Sequence, residues 1–389
     1  MVLETFHPHG AEAEGRRHGQ EKKFIEPLAE QETFAPDLKL DGVEVETAAP
    51  VDEKEMMRDI SHLEDLLHAV LLRECLESGD KKKEIRLLDR LKIEKRMIES
   101  GDVKVTDVFR NRKDCRSPGK TSSDEERMAT QNPRNQVMMV EISTEENGLK
   151  QEAIFKPKNG EAVWVEEDGT TRGLIESRPQ TGYLREWLAG FVAKALDSEV
   201  VPPTVIREID GAIGSVQQKI DGRPANSFAN EEWLEAANIS DLREVALLDF
   251  LLENYDRHDG NYFIEPGGAT RAIDHGLILP DPEFNLSIRS FPLRHFSAGD
   301  RVIPDALLRR LKQLFENARY EAVKEAFSLV FGQTQGEDFF AGFENRARGL
   351  IKDGEMPDYH MHPSDERYFW GHTATFLAPP TKIERKHAS

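Results

Sequence analysis

The sequence predicts an α+β fold, and three observations carry that reading. Apolar residues alternate in strand fashion from about residue 137, helical periodicity dominates the second half, and a separate pair of helix patterns precedes both. Strands first and helices later is the order of an α+β domain, and the early pair reads as an N-terminal helical hairpin. A chain of 389 residues with 38% hydrophobic residues is long enough for one large domain with an appendage, or two moderate ones.

Taken in order, residues 1–50 are rich in Glu, Gly, Pro and Ala and lack hydrophobic periodicity, so they are expected to be disordered. Within 52–78, Ile60, Leu63, Leu67, Val70 and Leu71 recur at helical spacing, and Gly79 is placed to end the helix. Asp80 is the expected N-cap of a second helix over 81–99, with Ile85, Leu88 and Leu91 inward. The hairpin is assigned to 51–110, and its apolar stripe must be buried on the rest of the chain or on a partner. Residues 111–136 are polar and carry turn formers, which reads as a linker. Val137–Ser143 and Gln151–Phe155 read as strands around an EENG turn at 145–148. A helix over 181–197 places Leu184, Leu188, Phe191, Val192 and Leu196 on one side. Strands near 201–206 and 214–220, a helix over 241–253 and irregular residues 254–262 follow. A strand pair around Pro266-Gly267-Gly268 and helical stretches at 304–331 and 336–352 complete a domain assigned to 137–355. Residues 356–389 read as a polar tail, in which His360 and His362 lack the spacing of a closed metal site.

Composition narrows the class. A net charge of −20 and a pI of 5.1 argue against sequence-independent nucleic-acid binding and give no bulk attraction to an anionic membrane. Only Cys75 and Cys115 are present, so a disulfide framework is not expected and a reducing compartment fits. No apolar run approaches the roughly 20 residues of a transmembrane segment, and the first residues lack the apolar stretch of a secretory signal. The expectation is a cytoplasmic protein.

Four pieces carry chemistry, and their order matters as much as their identity. Lys156, in FKPK at 155–158, follows an apolar strand residue, where a lysine can reach a phosphate. Glu186, in the 181–197 helix, is a carboxylate able to pair with it, as a strand lysine and a helix glutamate do in kinases. The loop YDRHDGNYFI at 255–264 holds Asp256 and Asn261 at the D-x-x-x-x-N spacing of a kinase catalytic loop. An aspartate there can accept a hydroxyl proton, the asparagine carbonyl is a hard ligand suited to magnesium, and Arg257 and His258 can steady the loop or the transferring phosphate. Asp274, in AIDHGLILP at 272–280, lies thirteen residues beyond Asn261, where a kinase places the aspartate of its D-F-G triplet; here His275 replaces the phenylalanine. Each piece alone has an ordinary reading as a solvated charge or a plain turn. The ordered set predicts a two-lobed, protein-kinase-like α+β fold.

With these residues in hand, the chain resembles the phosphatidylinositol 3-/4-kinase superfamily over about residues 137–335. AIFKPK at 153–158, REWLAGFVAKAL at 185–196 and VPPT at 201–204 look like its N-terminal lobe, and GSVQQKIDG at 214–222 like its last N-lobe strand and hinge. LLDFLLENYDRHDGNYFI and AIDHGLILP look like its catalytic loop and metal-binding segment. The nearest likeness is to type II phosphatidylinositol 4-kinases and their bacterial relatives, and the same pair of segments is similar to actin-fragmin kinase and the secretory-pathway kinases, which phosphorylate proteins.

The resemblance implies ATP and Mg2+ as cofactors. Lys156 would bind the ATP phosphates, Glu186 would brace it, and Gln218, Lys219 and Ile220 would face the adenine. Asp256 would be the catalytic aspartate, and Asn261 and Asp274 would hold magnesium. Two departures stand out. No glycine-rich phosphate loop precedes residue 137, where NPRNQ at 132–136 stands instead. The segment 280–301 sets Arg289, Arg294 and Arg301 against Asp281, Glu283 and Asp300, a balance that favours a protein or small-molecule acceptor over a phosphoinositide. Transfer of AMP by the same residues, and a nucleotide-binding pseudokinase scaffold working through the hairpin, are the alternative readings.

Overall fold

The computed structural model of the protein describes residues 52–98, 101–109, 135–143, 150–161, 180–229, 232–282, 288–298, 300–316 and 318–357, with strand pieces at 24–25, 163–165 and 171–172. Nearly all of the expected disordered segment, of the linker and of the tail, together with the EENG turn, His360 and His362, lies outside the described residues; within the first, Phe24–Ile25 is a strand, against the expectation.

Helices α1 (Glu53–Ser78) and α2 (Lys81–Ile98) form the hairpin. Asp52 caps α1 by accepting from the amides of Lys54 and Glu55, and Gly79 ends it at φ 67°. Asp80 opens α2 by accepting from the Lys83 amide at 3.0 Å. The α1 stripe is buried as expected, from Ile60 to Leu71. The α2 stripe is corrected in part: Leu91 packs against the core as expected, but Ile85 is 58% exposed and Leu88 faces solvent, while Leu87, Glu94 and Met97 are buried. Glutamate 94 interrupts the true inward face, so an apolar-only pattern selects a face turned partly to solvent.

Two sheets follow. A small one joins β1 (Phe24–Ile25), β5 (Val163–Val165) and β6 (Thr171–Arg172). The main sheet is antiparallel and runs in the spatial order β2 (Asp102–Phe109), β3 (Val137–Ser143), β4 (Lys150–Pro157), β8 (Ala212–Gln218), β7 (Thr204–Ile209). The sheet therefore starts at residue 102, inside the segment read as hairpin, and the span read as linker joins the ends of two paired strands, Phe109 opposite Val137. Side chains alternate across the sheet. Val140, Phe155, Val205 and Val216 pack with Met97 of α2 on one face, while Ile206 and Ile213 join the larger core on the other. Lys156, next to Phe155, points to that second side.

Strands β4 and β8 approach so closely that only glycine fits at 214. A Cβ there would lie 2.3 Å from the Lys156 carbonyl oxygen and 2.6 Å from Phe155 Cε2. Gly214→Ala is expected to cost about 1–3 kcal/mol and to lower the melting temperature by about 3–10 °C. A melting curve superimposable on the wild type would contradict this register.

Helix α3 (Gly182–Ala195) packs on β7 and β8, against the hairpin and on a helix of the second lobe, so every residue from Tyr183 to Ala195 is buried. The one-sided stripe read from sequence is in fact burial all round. The second lobe contains β9 (Arg223–Pro224), α4 (Glu232–Ala236), α5 (Ile239–Leu251), β10 (Tyr262–Ile264), β11 (Thr270–Ala272) and α6 (Phe291–Ala298). It ends in α7 (Asp305–Glu316), α8 (Ala318–Phe331) and α9 (Gln333–Asp353), so the single stretch expected over 304–331 is two helices. Phe327 of α8 meets Phe340 and Phe343 of α9 with ring centroids 5.5 Å apart in each pair. The protein is thus α+β, an antiparallel-sheet lobe followed by a mainly helical lobe, with an N-terminal helical hairpin. No helix among the described residues is long and apolar enough to cross a membrane.

Candidate active site

The site lies where β4, α3 and the segment after β11 converge. Thr181 makes no side-chain cap for α3; Glu161, just past β4, takes that role by accepting from the amides of Gly182 and Tyr183 at 2.9 and 2.7 Å. The cap ties the end of the lysine strand to the start of the glutamate helix. Lys156 Nζ then donates to Glu186 Oε1 and, at 2.8 Å, to Asp274 Oδ1. Glu186 Oε2 accepts from the His275 amide at 2.9 Å. One buried carboxylate thereby holds both the lysine and the Asp274 segment.

The preceding residue does related work. Arg185 is fully buried, donates to the carbonyls of Ile278 and Leu279, and sits 4.8 Å over the Phe331 ring. Asp274 and Leu279 bracket this segment with left-handed φ of 59° and 49°. Aspartate tolerates that conformation better than most side chains. His275, in the phenylalanine position of the triplet, is buried; burial and the Arg257 charge hold its pKa below the ordinary value, so its ring is neutral.

Electrostatics follow from this packing. Burial pushes the Glu186 carboxyl up, but Lys156 and the His275 hydrogen bond more than offset it and hold the group below the usual carboxylate range. Burial likewise opposes the Lys156 charge, and Asp274 and Glu186 outweigh it, raising the ammonium above the usual lysine range. A depressed carboxylate contributes stability that is present above its unfolded value and lost as pH falls toward its folded one. Glu186→Gln is therefore expected to lower the melting temperature at about pH 6 and to flatten its fall between about pH 5 and 3. Equal slopes for both proteins in melts across that range would contradict the pairing.

The catalytic-loop candidates are fixed by a buried carboxylate that sequence reading passed over. Asp249, near the end of α5, accepts from Asn254 Nδ2 at 3.0 Å, from Arg257 Nε at 3.1 Å and from Ser290 Oγ at 2.7 Å. Arg257, also fully buried, donates to the carbonyls of Asn261 and Ile273. It braces the loop from within. His258 does so locally, its Nδ1 accepting from the Gly260 amide at 3.0 Å. Asn261 Nδ2 donates to the Asp256 carbonyl at 2.9 Å, which ties the two ends of the D-x-x-x-x-N span and turns Oδ1 away from that bond. The Asn261 carbonyl accepts from the Ile273 amide at 3.0 Å, so Asn261 and Asp274 stand on neighbouring segments. The Asp256 side chain is 30% exposed, with Arg289 Nη1 3.9 Å from its Oδ1.

The residues read as hinge continue β8: the Gln218 amide donates to the Pro203 carbonyl at 2.9 Å and the Lys219 amide to the Glu152 carbonyl at 3.1 Å. Gln218, Lys219 and Ile220 also line a cleft of about 310 Å³ whose other wall is α2. That cleft lies on the hairpin side of the hinge and contains none of Lys156, Glu186, Asp256, Asn261 or Asp274.

The charge balance read for 280–301 takes a different form in three dimensions. Asp281 is buried beside Arg185 and accepts from Gln335, Asp300 accepts from Arg243, and Arg301 donates to the Met356 carbonyl. Arg289 is the residue of this segment that stands beside Asp256; Glu283 lies outside the described residues. Asp249, Arg185 and Glu161 escaped sequence reading. A charge embedded in an apolar helix, as in ALLDFLL at 246–252, is the signal that could have found the first.

Comparisons with known proteins can be set beside this geometry. No protein-family model matches the chain. It is similar to phosphatidylinositol 4-kinase gamma 4 of Oryza sativa subsp. japonica, at 29% identity over 168 residues covering 41% of this chain and 26% of that protein. It is also similar to protein Rv2133c of Mycobacterium tuberculosis, at 28% identity over 159 residues covering 32% of this chain and 53% of that protein. The chain thus spans about a quarter of the plant relative and about half of the mycobacterial one. Among solved structures it is similar to the Helicobacter pylori proinflammatory kinase CtkA, with a TM-score of 0.35, 12% identity, and coverage of 62% of this chain and 92% of that one. The sequence likeness to the plant enzyme supports a kinase-like relationship.

Proposed function

We propose that the chain is an ATP- and magnesium-dependent phosphotransferase that moves the γ-phosphate of ATP to a hydroxyl on a protein acceptor. The observation that carries this is the Lys156 ammonium, held at once by Glu186 of α3 and by Asp274. Two of its three protons are engaged there, and the third remains for a phosphate oxygen. Gln218, Lys219 and Ile220 would meet the adenine, as the resemblance implies.

The donor set fits magnesium. The side-chain amide oxygen Oδ1 of Asn261 and the carboxylate of Asp274 are hard oxygen ligands on neighbouring segments, and the Asp274 side chain is 47% exposed. Magnesium, when bound, would neutralise charge on the transferring phosphate. Asp256 would accept the acceptor's proton as the hydroxyl oxygen attacks phosphorus and the bond to the β-phosphate oxygen breaks. The charges of 280–301 balance, and among the described residues Arg289 is the arginine of that segment beside Asp256, which supports a protein hydroxyl over a phosphorylated inositol headgroup. We place the catalytic unit at residues 102–357, because β2 belongs to the sheet that carries Lys156.

Phosphorus NMR of ATP and magnesium incubated with the protein and a mixed protein substrate tests the reaction class. ADP with phosphoester signal on protein is expected. AMP with pyrophosphate would move the chain to nucleotidyl transfer, and unchanged ATP would favour the scaffold reading.

A further inference from the structure

We infer that Glu64 of α1 and Glu94 of α2 are positioning residues for the proposed transfer, acting through α3 on Glu186. The inference rests on the phosphotransferase reading, and its ground is the buried network between hairpin and helix. Glu64 accepts from Trp187 Nε1 at 2.8 Å through one oxygen and from Lys194 Nζ through the other. Glu94 Oε2 accepts from Lys194 Nζ at 3.0 Å, and its Oε1 accepts from Arg90 Nε at 2.8 Å. His68 Nε2 completes the cage, 2.9 Å from Glu94 and 3.0 Å from Lys194. Glu64, Glu94 and Lys194 are 8%, 3% and 4% exposed, so these bonds act in a dry interior. Glu64, His68 and Glu94 have the look of a metal-ligand trio, but the Lys194 ammonium already fills the space among them.

Trp187 and Lys194 are seven residues apart, about two helical turns, and so share one face of α3. The hairpin grips that face. Arg185 and Glu186, beside Trp187, instead hold Ile278, Leu279, His275 and Lys156. The helix therefore transmits position from the hairpin to the segment that carries Asp274. Apolar packing of α1 alone would tolerate sliding and rotation of α3, whereas bonds from one carboxylate to two groups seven residues apart fix both. The far end of α3 is anchored too: Arg319 of α8 bonds Glu74 of α1, the Ala195 carbonyl and Asp197, and Lys83 of α2 bonds Asp197. The hairpin is thus a strut between α3 and the second lobe.

The test uses the full chain, with hydrogen–deuterium exchange and steady-state kinetics on two variants. Glu64→Ala is expected to raise exchange about tenfold in α3 and at 275–279, with α7 and α9 unchanged, and to lower kcat about 10- to 100-fold. The triple variant Glu64→Leu, Glu94→Leu and Lys194→Met replaces all three charges of the cage by apolar bulk. It should recover the melting temperature and still show the kcat loss and the raised exchange at 275–279. Recovery of turnover along with the melting temperature would reduce the network to plain stability and overturn the inference, as would unaltered exchange at 275–279 in Glu64→Ala. If the wild type itself turns over no ATP, the phosphotransferase reading fails, and the exchange arm alone decides whether the hairpin positions this segment.

Discussion

Replacing Asp274 by asparagine is expected to lower phosphate transfer at least about 10³-fold, a loss of about 4 kcal/mol of transition-state stabilisation, while the fold survives. The variant removes the negative charge proposed to hold magnesium and leaves a side chain that tolerates the left-handed backbone found there, φ 59°. The lost ion pair with Lys156 is half open to solvent and worth about 0–1 kcal/mol, and Lys156 keeps Glu186 as a partner. The melting temperature should therefore move by no more than about 3 °C. A variant retaining a tenth or more of wild-type turnover would remove Asp274 from the chemistry. One that loses activity only by unfolding would leave its role unsupported.

Stability is expected to break hardest at Arg257. Arg257→Ala deletes a fully buried guanidinium and leaves the Asp249 carboxylate, 1% exposed, with Asn254 and Ser290 as its remaining side-chain partners among the described residues. It also strands the carbonyls of Asn261 and Ile273. Removing one partner of a buried pair typically costs about 3–5 kcal/mol, here a fall of about 10 °C in melting temperature. Denaturant melts of Arg257→Ala, Asp249→Ala and the double variant form a cycle, in which the double should lose clearly less than the two singles together. Additive losses, or a single variant costing under about 1 kcal/mol, would contradict the pair as the brace of the loop. Turnover should fall as well, since the same arginine holds the backbone of Asn261.

What was legible in the sequence is what chemistry restricts. Lys156, Glu186, Asp256, Asn261 and Asp274 stand out in the sequence by residue type and order, and the structure joins the first, second and last directly. The apolar period of α1 was equally plain. Strand β2 was missed because its alternation breaks at a register shift between Val105 and Asp107, which spoils a period of two. The inward face of α2 was partly misread because Glu94 sits on it, neutralised by Lys194 and Arg90 from outside any local window. Arg185 contacts residues 93 and 94 positions away, and Asp249 gathers partners 5, 8 and 41 positions on. Buried charges of this kind show their purpose only once the chain has brought their partners to them.

The most direct test of the central claim is calorimetric titration of ATP into the protein with and without magnesium, beside Lys156→Met and Asp274→Asn. The site described here predicts magnesium-dependent binding that is weakened at least about tenfold by either substitution, a loss of about 1.4 kcal/mol. ATP binding indifferent to magnesium and to both substitutions, or no binding at all, would contradict it.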